Sequence, residues 1–123
     1  MNVRAARGAA ARLSGRRAEA WAAAWLMAKG YRILGFRLKT PQAEIDLLAK
    51  RGQVLAVVEV KSRTSLEAAL ETVTPDQRDR LRRAGAALAA NRPALAACTV
   101  RLDLLALAPG GLPRHIPDAW KGD

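Results

Sequence analysis

Three polar residues that could cleave a phosphodiester bond lie in an otherwise apolar stretch of the chain. Twelve residues separate Asp46 from Glu59, and one residue separates Glu59 from Lys61. Two carboxylates that lie close together raise one another's pKa unless a cation joins them. Mg²⁺ is commonly bound through one or two carboxylates and keeps several waters for phosphate oxygens. A lysine beside such a pair can orient or deprotonate a water, or stabilise charge developing on the phosphate. The pattern therefore indicates metal-dependent phosphodiester hydrolysis.

These three residues lie on a predicted β-hairpin. Residues 43–49 and 54–62 are mostly apolar, and residues 50–53 supply a turn. A turn centred between positions 51 and 52 pairs Asp46 with Val57, and directly opposed residues point to the same face. One face of the hairpin then carries Glu44, Asp46, Glu59 and Lys61. A slip of one residue in this register would separate the two acids.

The opposite face of the hairpin is predicted to be core, because side chains alternate between the two faces of a strand. Its members are Ile45, Leu47, Val54, Val58 and Val60. A structural interpretation stands beside the catalytic one: the polar residues form a solvated face, with Glu–Lys pairs across the strands. The strand context, the net charge and the apolar run 54–58, which suggests a sheet interior, favour the catalytic interpretation.

The remaining elements must hold this hairpin in place. In chain order we predict a helix over residues 14–29, a strand over 31–37, the two hairpin strands, a helix over 74–91 and a strand over 99–108. The second helix has the clearest start, because Thr74 and Gln77 form a capping box and Pro75 occupies the first helical position. The order α-β-β-β-α-β predicts an α/β fold with a mixed central sheet flanked by helices.

The chain divides into three parts by composition. Residues 1–13 form a basic N-terminal arm, residues 14–108 form one domain, and residues 109–123 form a Pro- and Gly-rich tail that Trp120 is expected to dock. His115 lies in this tail, far in sequence from any nucleophile, so we predict no catalytic role for it.

The charge of the chain indicates a polyanionic partner. The formal net charge is +10 over 123 residues, and nucleic acid is the first expectation for a domain this basic. An anionic membrane surface or an acidic protein is the alternative. The single cysteine excludes an internal disulfide and fits a reducing cytoplasm, and one Cys with one His cannot build a structural zinc site. No apolar run reaches transmembrane length, so we expect a cytoplasmic protein without a membrane partner.

Basic and polar residues outside the hairpin are candidate contacts to nucleic acid. They are Arg17 near the start of the first helix, Arg63 after the hairpin, and Gln77, Arg78 and Arg82 on the second helix. The arginines equally fit a solvated helix face, and Gln77 fits its capping role.

The series of motifs resembles a known family. The matching pieces are Ala18 and Glu19, then residues 30–34, 43–48, 58–63, 72–81 and 101–104. In this order, over residues 15–108, they resemble the small uncharacterised bacterial family called YraN-like, and more broadly the PD-(D/E)XK nuclease superfamily with its restriction-endonuclease-like fold.

The resemblance implies a restriction-endonuclease-like core and a metal site. Asp46 and Glu59 would bind Mg²⁺ or Mn²⁺ with help from the Val60 carbonyl, and Lys61 would position the water. Glu19 on the first helix would be a further metal ligand, and two copies of the chain would form a homodimer. The chain departs from the family where Ala18 and Ala43 replace glycines and Gln77 replaces a lysine, which puts activity, not fold, in question.

These observations leave three hypotheses. The first is a metal-dependent nuclease acting on DNA, with branched or damaged DNA as its substrate. The second is a nucleic-acid-binding module of the same fold with weak or no catalysis. The third is a basic adaptor for an acidic protein or a membrane, in which the hairpin is structural.

Overall fold

The structure is a computed structural model and describes residues 15–108 and 110–121. The predicted basic arm, residues 1–13, and the predicted first residue of the first helix lie outside the described residues. Every structural statement below concerns the described residues alone.

The elements follow the predicted order, with additions. They are α1 (Gly15–Ala28), β1 (Arg32–Lys39), β2 (Glu44–Arg51), β3 (Val54–Ser62), α2 (Leu66–Glu71), α3 (Pro75–Asn91), a 3₁₀ turn (Pro93–Leu95), β4 (Thr99–Leu107) and β5 (Arg114–Ile116). The α/β class and the order α-β-β-β-α-β are confirmed. The short helix α2 and the strand β5 were not predicted, because six and three residues carry too little periodicity to be recognised.

The five strands form one mixed sheet in the order β1-β2-β3-β4-β5. Strands β3 and β4 run parallel, joined by the crossover through α2 and α3, and the other neighbours are antiparallel. Among the described residues, no helix has the length and apolar character needed to cross a membrane.

Two buried clusters cover the two faces of the sheet. One packs α1 against Leu47, Val58 and Leu105. The other packs α3 and the segment before it against residues that include Leu48, Leu55, Val57, Leu102 and Leu104. The central strands are therefore buried on both faces in their middle parts, and the hairpin is partly exposed only toward its ends. Ile45 joins the α3 cluster although Leu47 joins the α1 cluster, so the simple alternation predicted for β2 does not hold at its start.

The hairpin register differs from the predicted one by two residues. Strand β2 extends to Arg51, which pairs with Val54, so that only Gly52 and Gln53 form the turn. Gly52 has φ +59°, a left-handed conformation that glycine adopts without steric cost. Because the difference is an even number of residues, the shift by itself does not move the acids to opposite faces. The predicted single polar face is nevertheless not observed, because Asp46 borders a hollow on the α1 side and Glu59 borders one on the α3 side.

The C-terminal tail is docked through a buried carboxylate on β4. Asp103 is fully buried and accepts two hydrogen bonds from Arg101, at 2.8 Å and 2.9 Å. It is also 2.8 Å from His115 Nε2 and accepts from the Asp118 N–H at 3.0 Å. The expected docking by Trp120 is observed, because its Nε1–H donates to the Leu70 carbonyl at 3.1 Å. His115 is thus part of a structural network.

Replacing Asp103 should destabilise the protein in a pH-dependent way. Burial alone would raise the pKa of Asp103, but its hydrogen bonds from His115, Arg101 and the Asp118 N–H outweigh burial and lower it. The stabilisation is therefore present above the unfolded-state pKa of about 3.9 and is lost as pH falls through the folded-state value. We expect Asp103→Asn to cost about 3 kcal/mol at pH 7, measured by urea unfolding.

The control is Asp79→Asn, which removes an exposed helical ion pair and should change stability by less than about 0.5 kcal/mol. A difference between wild type and Asp103→Asn that stays constant from pH 7 to well below the unfolded-state pKa would contradict this account.

Candidate active site at the end of the central hairpin

The two predicted acids meet where the pairing of β2 with β3 ends. The last regular pair is Leu47 with Val58, so the next position places Asp46 opposite Glu59. Beyond this pair a side chain replaces the backbone hydrogen bonding between the strands: the Asp46 Oδ2 accepts a hydrogen bond from the Val60 N–H at 3.0 Å. Asp46 also acts on Glu59, because the nearby Asp46 carboxyl group raises the Glu59 pKa by charge repulsion and by side-chain hydrogen bonding.

Burial beside a second carboxyl group disfavours the ionised form of Glu59. Glu59 is 7% exposed, and burial raises its pKa to about 8, assisted by the repulsion and hydrogen bond of Asp46 and opposed by Lys61. The Lys61 Nζ lies 3.8 Å from Glu59 Oε2. Two neighbouring carboxyl groups are a donor set that a hard divalent cation fits, because the cation removes the repulsion between them.

The acid pair lies between two surface hollows. One, of about 290 Å³, is lined by Gly15, Ala18, Glu19, Arg37, Glu44, Asp46, Val60 and Lys61. The other, of about 230 Å³, is lined by Ala43, Glu44, Glu59, Gln77, Arg80 and Leu81. Glu44 borders both hollows, so the acids are reachable from the α1 side through Asp46 and from the α3 side through Glu59.

Helix α1 brings Glu19 to the same hollow as Asp46 and Lys61. Glu19 is 8% exposed and accepts a hydrogen bond from Arg37 Nε at 2.7 Å. Within residues 15–108 and 110–121, no group of three His, Cys, Asp or Glu side chains could hold one metal ion. The structure thus assembles Asp46 with Glu59 and gives Glu19 an arginine partner. Metal ligation by Glu19 and by the Val60 carbonyl stays a prediction.

The predicted nucleic-acid contacts separate into two groups. Gln77 borders the hollow beside Glu59 while it also forms the predicted capping box with Thr74. Arg78 and Arg82 hold the docked tail, since Arg78 lies over the Trp120 ring at 5.5 Å and Arg82 donates to the Trp120 carbonyl at 3.1 Å.

The other two predicted contacts lie at the surface. Arg63 is exposed just beyond β3, where its guanidinium donates to the Ser62 carbonyl at 2.8 Å, and Arg17 is exposed in the first turn of α1. Nucleic-acid binding by all five residues stays a prediction.

Two arginines border the hollows without having been singled out from the sequence as site residues. Arg80 borders the α3-side hollow and pairs with Asp76 at 3.1 Å, one helical turn before it. Its place on α3 one turn beyond Gln77 was a usable signal, because residues three and four apart share a helix face. Arg37 borders the α1-side hollow, and its position depends on an irregularity of β1 for which Gly35, inside the strand, was the available signal.

Comparison with known proteins gives the family. A model described as "Uncharacterised protein family UPF0102" matches residues 18–107. The chain belongs to the UPF0102 family. This confirms the predicted YraN-like membership, and the matched region contains the acid pair, Lys61 and Glu19.

UPF0102 relatives match over nearly the whole chain. A UPF0102 protein of Caulobacter sp. (strain K31) is 76% identical over 94% of this chain and 83% of its own length. One of Caulobacter vibrioides (strain NA1000 / CB15N) is 68% identical over 98% of this chain and 96% of its own length. One of Paramagnetospirillum magneticum is 52% identical over 93% of this chain and 92% of its own length. These names carry no activity, so UPF0102 membership by itself does not assign a reaction.

The buried Glu59 should make the metal-free protein less stable as pH rises. A carboxyl with a folded pKa of about 8 stays protonated while the unfolded chain ionises from about pH 4.3, so the unfolded state gains stability between these values. Glu59→Gln cannot ionise and keeps a similar shape. We expect the melting temperature of Glu59→Gln to exceed that of wild type in EDTA, by a margin that grows from about pH 5 to 8.

The matched control is Glu71→Gln at an exposed glutamate, whose melting temperature should follow that of wild type. A margin for Glu59→Gln that does not change with pH would mean that Glu59 is ionised in the folded protein.

Proposed function

We propose that this UPF0102 chain is a metal-dependent nuclease that hydrolyses DNA phosphodiester bonds. The observation that carries the proposal is the Asp46–Glu59 carboxyl pair, which lies beside Lys61 at the border of two open hollows. A buried carboxyl with a strongly raised pKa is costly to keep in a fold, so its presence beside a surface hollow points to function.

Asp46, Glu59 and the Val60 carbonyl would hold Mg²⁺ or Mn²⁺ in this proposal. Bound there, the cation supplies Lewis-acid activation of the phosphate and a more acidic water. The Val60 N–H holds the Asp46 carboxylate in one orientation by donating to its Oδ2. Lys61 is near enough to Glu59 to orient the attacking water or to stabilise negative charge developing on the phosphate.

The charge of the chain supports nucleic acid as the substrate. A formal net charge of +10 favours association with the phosphate backbone, which attracts cations independently of sequence. At the α3-side hollow, Gln77 and Arg80 lie beside Glu59, where they could contact the strand being cut. A restriction-endonuclease-like core, branched or damaged DNA as substrate, and a homodimer belong to the proposal through the motif resemblance alone.

One observation favours the alternative of a DNA-binding module with weak or no catalysis. Among the described residues, no third carboxylate joins Asp46 and Glu59 in a group that could hold one metal ion, and Glu19 pairs with Arg37. Gln77 also stands where the resemblance leads us to expect a lysine. Such a protein would bind DNA through the same surfaces without cutting it.

Divalent metal should stabilise the folded protein through the acid pair. We expect Mn²⁺ or Mg²⁺ to raise the melting temperature of wild type, because ligand that binds only the folded state shifts unfolding by mass action. The shift should disappear in Asp46→Asn and Glu59→Gln and persist in the exposed control Glu71→Gln. An equal shift in all four proteins would place the bound metal elsewhere.

Cleavage assays test the proposed reaction directly. Labelled single-stranded, duplex, flap and four-way-junction DNA are incubated with the full chain and Mg²⁺ or Mn²⁺. We expect Asp46→Asn and Lys61→Ala each to lower the cleavage rate by at least about 100-fold, the typical contribution of such groups. Lys121→Ala removes one exposed positive charge and should leave the rate unchanged.

The outcomes separate the hypotheses. Cleavage that is lost in both site variants supports the nuclease and identifies the preferred DNA shape. Binding without cleavage in either metal supports the module, and no binding at low salt rules out both nucleic-acid functions.

A further inference from the structure

A β-bulge on the edge strand places Arg37 next to the acid pair. The register of β1 with β2 shifts by one residue between Ile33 and Gly35, so Leu34 is the extra residue of the bulge. The regular pairs beyond the bulge are Phe36–Leu47 and Leu38–Ile45. Arg37 therefore lies opposite Asp46. Without the bulge, every side chain of β1 beyond Leu34 would move by one position and point to the other face.

The backbone of Arg37 is strained. Its φ is +48°, in the left-handed region that residues with a side chain seldom adopt. Such strain persists where the surrounding structure enforces it, and it concentrates at binding and catalytic sites.

The protein also leaves room for the Arg37 guanidinium. At Gly15, in the first turn of α1, an added Cβ would lie 2.7 Å from Arg37 Nη2. The absence of a side chain at Gly15 therefore lets the guanidinium lie against the start of α1. The bulge at Leu34, the φ angle of Arg37 and the missing side chain at Gly15 are three separate features, and each is needed for Arg37 to lie at the hollow as it does.

Glu19 fixes the orientation of the guanidinium without using all its donors. Arg37 Nε donates to Glu19 Oε1 at 2.7 Å, while the Arg37 side chain remains 41% exposed. The described residues give Arg37 no other hydrogen-bonding partner. Its Nη groups are therefore available at a hollow that Asp46 and Lys61 also border.

We propose that Arg37 binds a phosphate of the DNA backbone next to the bond that is cut, and that Glu19 is its positioning residue. A planar guanidinium with two available Nη groups matches two oxygens of one phosphate, which a lysine cannot do. The inference rests on the proposed function, and it gives Glu19 a role distinct from metal ligation.

The test measures DNA affinity apart from cleavage. Fluorescence anisotropy of a labelled four-way junction and a labelled duplex is recorded in EDTA, over about 50 to 200 mM KCl, with the full chain. The variants are Arg37→Gln, Arg37→Lys and Glu19→Gln. The matched control is Arg83→Gln, which removes an arginine that is also paired with one carboxylate, Asp79, but lies on the exposed side of α3.

We expect Arg37→Gln to weaken binding roughly tenfold and to reduce the slope of log affinity against log salt by about 0.9, the value for one phosphate contact. Arg37→Lys keeps the charge, so its slope should match wild type while its affinity falls several-fold. Arg83→Gln should resemble wild type. If the melting curve shows that Arg37→Gln does not fold, Arg37→Lys provides the test. A several-fold loss of affinity at the wild-type slope then supports the proposal, and wild-type affinity overturns it.

The role of Glu19 is tested by two readouts together. Glu19→Gln should weaken DNA binding several-fold while the Mn²⁺-induced rise in melting temperature stays as in wild type. Loss of that rise with unchanged DNA affinity would make Glu19 a metal ligand and would overturn its positioning role.

The outcomes distinguish this inference from the proposed function. Equal binding by Arg37→Gln and Arg83→Gln overturns the Arg37 assignment and leaves the nuclease proposal standing. Wild-type protein that binds no DNA at the lowest salt overturns both. Wild type that binds without cutting leaves the Arg37 comparison fully informative for the binding module.

Discussion

The register between β2 and β3 is the constraint on which the site depends. The two-residue turn at Gly52 and Gln53 sets this register, and the ladder ends one pair before the two acids. Asp46 then satisfies the Val60 N–H with its side chain, and Glu59 is left buried beside it. Shifting β2 against β3 by one residue, or by any odd number, would turn one of the two carboxylates toward the other face of the sheet, which is also packed.

Two buried acids in this protein show how surroundings separate structure from function. Asp103 receives hydrogen bonds from Arg101 and His115, and these lower its pKa despite full burial. Burial and the neighbouring Asp46 raise the pKa of Glu59 to about 8, although Lys61 lies 3.8 Å away. A buried carboxylate with several hydrogen bonds stabilises the fold and docks the tail, whereas a buried carboxyl beside a second one is costly to ionise, and a bound divalent cation would remove that cost.

The edge strand contributes more than a cover for the sheet. Strand β1 carries a bulge and a left-handed arginine within five residues, in a region that pairs with the strand bearing Asp46. Bulges at a sheet edge commonly re-aim one side chain toward a site. Helix α1 contributes Glu19 to the hollow that Arg37 of β1 also borders. In this UPF0102 protein β1 and α1 therefore line the side of the hollow opposite Asp46.

Much of this protein could be predicted from local patterns of the sequence. Alternation and capping signals identify the hairpin and the start of α3, and the spacing of Asp46, Glu59 and Lys61 in the hairpin predicts that these side chains lie close together. These features depend on neighbours within a few residues, so the sequence contains them directly. The family also follows from the order of its short motifs.

Tertiary structure alone decided the rest, because those features depend on contacts between distant segments. His115 and Asp103 meet only once β5 pairs with β4, and Glu19 meets Arg37 only once α1 packs across β1. Gly35, inside β1, marks a possible bulge, but the shift at Leu34 and its effect on Arg37 depend on how β1 pairs with β2. The sequence by itself determined which residues could do chemistry, and the packing of the sheet decided which of them share a site.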